Sequence, residues 1–205
     1  MRPDAAKLLF VLAHGAGAGM RHAFLQRIAL ALAARGVATL RWEFPYMAAR
    51  KARPDAPAIA EGAVRAVWLA AARLVPDLPR FAGGKSFGGR MTSRAHAAEP
   101  LPGLRGIAFL GFPLHPPDKP GTERADHLAR ATGPLLFLQG TRDELAPLPR
   151  LRPVIRKLGA RAVLHVVKGA DHGFDVLVRS GRTPAEVMGE LAETITAWMT
   201  THARC

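Results

Sequence analysis

Cysteine is nearly absent from this chain: a single residue, Cys205, stands at the end of 205. A lone thiol excludes an internal disulfide and a metal site built on paired cysteines. Long apolar runs are missing as well. The longest, such as LLFVLA (8–13) and IAFLGF (107–112), fall far short of the roughly 20 residues a membrane-spanning helix needs. The N-terminus lacks the apolar stretch and small-residue cleavage site of a secretory signal, so the expected location is cytoplasmic, with no membrane partner. Aromatic residues make up only 6%, too few to suggest stacking platforms for single-stranded nucleic acid. Acidic residues are scarce too, 16 against 29 lysines and arginines, for a net charge of +13. The basic residues are scattered singly, with ARKAR (49–53) the one cluster. A bias toward Ala, Arg, Gly and Pro accounts for that scatter, and nucleic acid is not the expected partner.

What is present describes a globular chain. Hydrophobic residues make up 49% and charged residues 22%, which suits a single domain spanning residues 1–205 with a full core. Strand-like and helix-like segments alternate throughout. LLFVLA, VATLRWEF (37–44), RFAG (80–83), GIAFLGF (106–112), PLLFLQ (134–139) and AVLHVV (162–167) read as strands. Helices are expected over 22–35, 58–75, the segment after Ser86, 149–158, and a last one opened by the capping box Thr183-Pro184-Ala185-Glu186. PYMAARKARPDAP (45–57) reads as a basic loop, and Glu61 and Arg65 as an exposed pair one turn apart. The predicted architecture is α/β: about six mostly parallel strands with helices on both faces and no cap domain.

The stretch AGGKSFGGR (82–90) admits two readings. A phosphate-binding loop needs a glycine five places before its Gly-Lys-Ser, and Pro79 stands there without an N–H to offer. The other reading is Gly-x-Ser-x-Gly, Gly84 to Gly88, the strand-to-helix turn that presents a nucleophilic serine. Its glycines let strand and helix approach closely around a strained Ser86.

A serine hydroxyl needs a base, and the base needs an orienting acid. In chains built on this turn the acid and then the histidine follow the serine, each after a later strand. Of eight histidines, only His172 in GADHGF lies beyond such a strand. Asp143 in GTRDELAP follows PLLFLQ, with Glu144 and Asp171 as competitors. A turn cap would explain Asp143 alone, and a loop role His172 alone. Three strand ends in the expected order favour chemistry. The glycine-rich HGAGAG (14–19) follows the first strand and supplies backbone donors for a developing oxyanion: Gly15 or Ala16, together with Phe87. A dinucleotide-binding reading of that loop fails at Met20, where a third glycine is required. No two-histidine-plus-carboxylate spacing suggests a metal, and the chemistry needs no cofactor.

HGAGAGM, FPYM, GGKSFGGRM, GFPLHPPDKPG, LQGTRDELA and GADHGF together resemble the α/β-hydrolase superfamily. More narrowly they resemble a small, lidless dienelactone-hydrolase-like family. It also includes a vertebrate testis-expressed protein and the hydrolase-like part of a histone-acetyltransferase-complex subunit. The resemblance implies Ser86, Asp143 and His172 as triad and the loop after His14 as oxyanion hole. The expected function is hydrolysis of a small-molecule ester or thioester through an acyl-enzyme on Ser86. The alternative is a non-catalytic interaction module of the same fold. PYMAARKARPD and PLHPPDKPG are expected to wall the site, and Lys85, Arg90, Arg142 and ARKAR suggest an anionic acyl group.

Overall fold

The computed structural model describes residues 1–203, so Cys205 lies outside the described residues. Six strands, β1 (Leu8–Ala13), β2 (Val37–Trp42), β3 (Arg80–Lys85), β4 (Leu104–Leu110), β5 (Leu135–Gly140) and β6 (Ala162–Val167), form one sheet in the order β2-β1-β3-β4-β5-β6. Every adjacent pair is parallel. β1 and β5 are buried along their whole length because helices cover both faces, which is why they read as unbroken apolar runs. α1 (Ala23–Ala33) and α6 (Pro184–His202) pack on one face, against Phe10 and Leu12 of β1 and Leu136 and Leu138 of β5. α3 (Pro57–Leu74) and α4 (Phe87–Ala98) take the other, against Leu9 and Val11. α5 (Leu148–Leu158) closes that face beside Ile107 and Phe137.

Local signals fix several boundaries. Thr183 and Glu186 form the expected reciprocal cap of α6, with the Thr183 hydroxyl accepting from the Glu186 amide at 3.2 Å. Two expectations change. Residues Pro45–Ala48 coil into a short helix, α2, with proline at its start. Glu61 pairs with Arg94 at 2.6 Å rather than with Arg65. Arg65 instead donates to the carbonyls of Ala95 and Glu99. Packing of α3 on α4 offers fixed acceptors that outcompete an exposed pair along one helix, worth only ~0.3–0.5 kcal/mol.

Two glycines show how tightly α4 meets the sheet. A Cβ on Gly88 would sit 2.4 Å from the backbone oxygen of His14, whereas one on Gly189, within α6, would meet nothing within 4 Å. Gly88→Ala should therefore cost about 3 kcal/mol, since backbone must give way. Gly189→Ala should stabilise by about 0.5–1 kcal/mol, by reducing the unfolded chain's freedom. Thermal melts check the pair: opposite signs are expected, with the Gly88 variant about 10 °C lower.

Candidate active site

The carboxyl ends of the strands gather the predicted residues. Ser86 leaves β3 with φ 49° and ψ −114°, a left-handed-side conformation that a non-glycine residue adopts only when its surroundings enforce it. The turn holds because its glycines give the main chain room: a Cβ on Gly84 would lie 2.3 Å from the Ala13 oxygen. The strained turn lifts the side chain above the sheet, where Ser86 Oγ lies 2.9 Å from His172 Nε2. His172 Nδ1 lies 2.7 Å from Asp143 Oδ2. A carboxylate can only accept, so Nδ1 carries the hydrogen and Nε2 is left to accept the serine's proton. The structure thus brings Ser86, His172 and Asp143 into one hydrogen-bonded row. Of the competing acids, Asp171 is committed elsewhere: its Oδ1 accepts from the amides of Gly173 and Asp175, shaping the loop that carries His172.

Asp143 is fully enclosed, its side chain showing no exposed surface. Its other partners are the Leu145 amide, at 2.9 Å to Oδ1, and the Gln139 side-chain amide, to Oδ2. Gln139 is itself held by the Phe112 amide at 3.1 Å. Its signal in the sequence was a lone amide closing an otherwise apolar strand, and it went unread.

The oxyanion loop is equally braced. His14 is wholly buried; its Nε2 accepts from the Phe44 amide at 3.1 Å, so its Nδ1 donates to the Gly15 oxygen at 2.7 Å. Burial pushes its pKa down, against the raising effects of that carbonyl and of Glu43, consistent with a neutral ring. The Tyr46 hydroxyl donates to the Ala16 oxygen at 2.8 Å. With both carbonyls turned away, the amides of Gly15, Ala16 and Phe87 have no protein acceptor among the described residues. A Cβ on Gly15 would lie 3.9 Å from the Ser86 Cβ, so the loop abuts the serine. Sequence reasoning missed His14 and Tyr46 as braces; their contacts span about thirty residues and leave no local pattern.

Lys85 is half-buried. It runs under the His172 loop, donates to the His172 carbonyl at 2.5 Å, and sits 5.5 Å from the Phe174 ring centre. Burial lowers its pKa to about 8, opposed by the charges of Asp143, Asp171 and Asp175. Arg142 donates to the Gly169 carbonyl, bracing the same loop. Lys85 also lines the pocket at the nucleophile, and Arg142 is exposed. A pocket of about 360 Å³ opens at Ser86, lined by Ala16, Phe24, Leu25, Leu145 and His172. Its walls come from the oxyanion loop, α1, Lys85 and the loops that carry Leu145 and His172; Pro117 of PLHPPDKPG lines only a larger cavity beside it, and Tyr46 is buried beneath the oxyanion loop. That larger cavity, of about 890 Å³, shares Leu145, His172 and Gly173 with the pocket, and Ser86 is not among its lining residues. Attack can occur only where the hydroxyl is, so the smaller pocket is the relevant one.

A family model described as an alpha/beta hydrolase domain matches residues 6–200. Solved structures agree in fold. A dienelactone hydrolase from Anabaena variabilis is 21% identical with a TM-score of 0.75, over 98% of this chain and 89% of that one. An α/β serine hydrolase without a lid from Xanthomonas campestris is 19% identical with a TM-score of 0.72, over 96% and 85%. The esterase domain of a Rhodothermus marinus protein is 15% identical with a TM-score of 0.72, over 99% and 91%.

Proposed function

Since this chain belongs to the α/β hydrolase domain family, we propose that it is a serine hydrolase cleaving a small carboxylic ester or thioester through an acyl-enzyme on Ser86. The observation that carries this reading is the row of 2.9 and 2.7 Å contacts from Ser86 through His172 to Asp143. The hydroxyl attacks the acyl carbon while His172 Nε2 takes its proton, then returns it to the leaving group. Asp143 holds the ring's tautomer and stabilises the imidazolium. Water repeats the sequence on the acyl-enzyme, freeing the acid. The amides of Phe87 and of Ala16 or Gly15 receive the oxyanion, each such donor lowering the barrier by about 2.7–4 kcal/mol. The esterase domain and dienelactone hydrolase among the neighbours agree with ester chemistry. The pocket, mostly apolar and about 360 Å³, suits a small acyl group.

A fluorophosphonate probe tests the reading directly. The folded protein should take up one equivalent, and peptide mass spectrometry should place it on Ser86. Absence of labelling under conditions that modify a known serine hydrolase, or labelling elsewhere, would refute it and favour the interaction-module alternative.

A further inference from the structure

The hydrogen-bonded row at Ser86 carries an unbalanced charge. Asp143 is fully enclosed, and His172 is its one ion-pair partner among the described residues. Its other contacts, from the Leu145 and Gln139 amides, are neutral donors. A buried carboxylate without a cation raises the proton affinity of the base beside it. Here that base is His172, which must be neutral at Nε2 to accept from Ser86. An imidazole that balanced Asp143 by holding a second proton would be no base at all.

Three observations put Lys85 where a balancing charge is needed. Its ammonium donates to the backbone carbonyl of His172 at 2.5 Å, although the two residues are 87 positions apart in the chain. The point where a Cβ on Gly111 would stand lies 3.3 Å from both Lys85 Nζ and His172 Nδ1. The ammonium and the ring edge that faces Asp143 therefore border one gap, which a glycine leaves open. The same Nζ lies 5.5 Å from the ring centre of Phe174 and 6.0 Å from that of Phe24, two stacked rings that limit where the side chain can go. Of the charges acting on it, Asp143 is the strongest, followed by Asp171 and Asp175. His22 and Arg27, which line the same pocket, are exposed, as is Arg142. With a pKa of about 8, Lys85 is charged at pH 7. We propose that Lys85 is a positioning residue for the general base: held on the His172 carbonyl, its ammonium balances Asp143 and keeps the imidazole neutral and in place. The role of His172 as base rests on the hydrolase reading; its ionisation does not.

Four substitutions test this. Lys85→Met removes charge and donor, Lys85→Gln keeps a donor without the charge, and Lys85→Arg keeps the charge. Arg142→Gln removes an exposed cation that donates to the Gly169 carbonyl of the same loop, and so controls for loop bracing and net charge. With 4-nitrophenyl acetate, the acid limb of kcat/KM reports the free base. It should move up by about one pH unit in Lys85→Met and Lys85→Gln, since losing a nearby positive charge favours the imidazolium. Lys85→Arg and Arg142→Gln should stay close to the parent. Carbon-13 NMR of labelled histidine rings, with His172 assigned by its loss in His172→Gln, reads the same ionisation without turnover, so this arm survives a failure of the hydrolase reading. If the Lys85 variants do not fold, the parent alone answers: its His172 signals should show a second inflection as Lys85 titrates near pH 8. The proposal is overturned by a fall in kcat that is equal at every pH, by an unmoved His172 titration in folded Lys85→Met and Lys85→Gln, or by a parent without the second inflection. An equal shift in Arg142→Gln or Lys85→Arg overturns it as well.

Discussion

Ser86→Ala should fold as the parent does and hydrolyse activated esters about a million-fold more slowly in kcat. Both halves of that expectation come from the geometry of the turn. The strain at φ 49° belongs to any residue with a Cβ, and alanine keeps the Cβ. The turn's close packing is made by neighbouring backbone and glycines rather than by the hydroxyl. That hydroxyl has one side-chain partner, His172 Nε2, and the half-exposed ring can turn to solvent when it is gone. Melting temperature should stay within a few degrees of the parent, or rise slightly, as is common when a reactive group is removed. Steady-state turnover of 4-nitrophenyl acetate, read beside a thermal melt, checks both. Turnover in the variant within tenfold of the parent would sink the assignment of Ser86 as nucleophile.

The parts of this site that could be read from the sequence are those encoded by chain order. Glycines flank Ser86, an apolar run ends just before Asp143, and another ends before His172; each places a polar side chain at a strand terminus. Parallel strands then bring those termini to one rim. What could not be read depends on which elements pack together. Glu61 found Arg94 because α3 lies on α4, and nothing within α3 encodes that. Lys85, which the sequence groups with the cations that suggest an anionic acyl group, sits at the end of β3, a position that sends it under the loop of His172, against Phe174. His14 was set aside because it precedes the serine, yet it fixes the carbonyl that turns the oxyanion loop. Of Lys85, Arg90, Arg142 and ARKAR, which together suggest an anionic acyl group, only Lys85 lines the pocket at Ser86, and its ammonium also donates to the His172 carbonyl.

Asp143→Asn should lower kcat about ten-thousand-fold with little change in KM, and the surroundings of Asp143 explain why an isosteric change costs so much. Three donors converge on the carboxylate: His172 Nδ1 and the Gln139 amide on Oδ2, and the Leu145 amide on Oδ1. Asparagine offers only one accepting oxygen. If its NH2 faces Oδ1's place, it opposes the Leu145 N–H, and a buried donor is lost. If its NH2 faces His172, the imidazole must move its hydrogen to Nε2, where it can no longer accept from Ser86. Gln139 would then have to reverse its own amide, presenting NH2 to the Phe112 N–H it now satisfies. Each arrangement leaves an enclosed conflict costing about 1–3 kcal/mol, so the variant should also melt lower than Ser86→Ala does. Kinetics on 4-nitrophenyl acetate together with thermal melts separate the effects. Near-parental kcat in Asp143→Asn would show that the carboxylate does not set the tautomer of His172, leaving Asp143 a purely structural role.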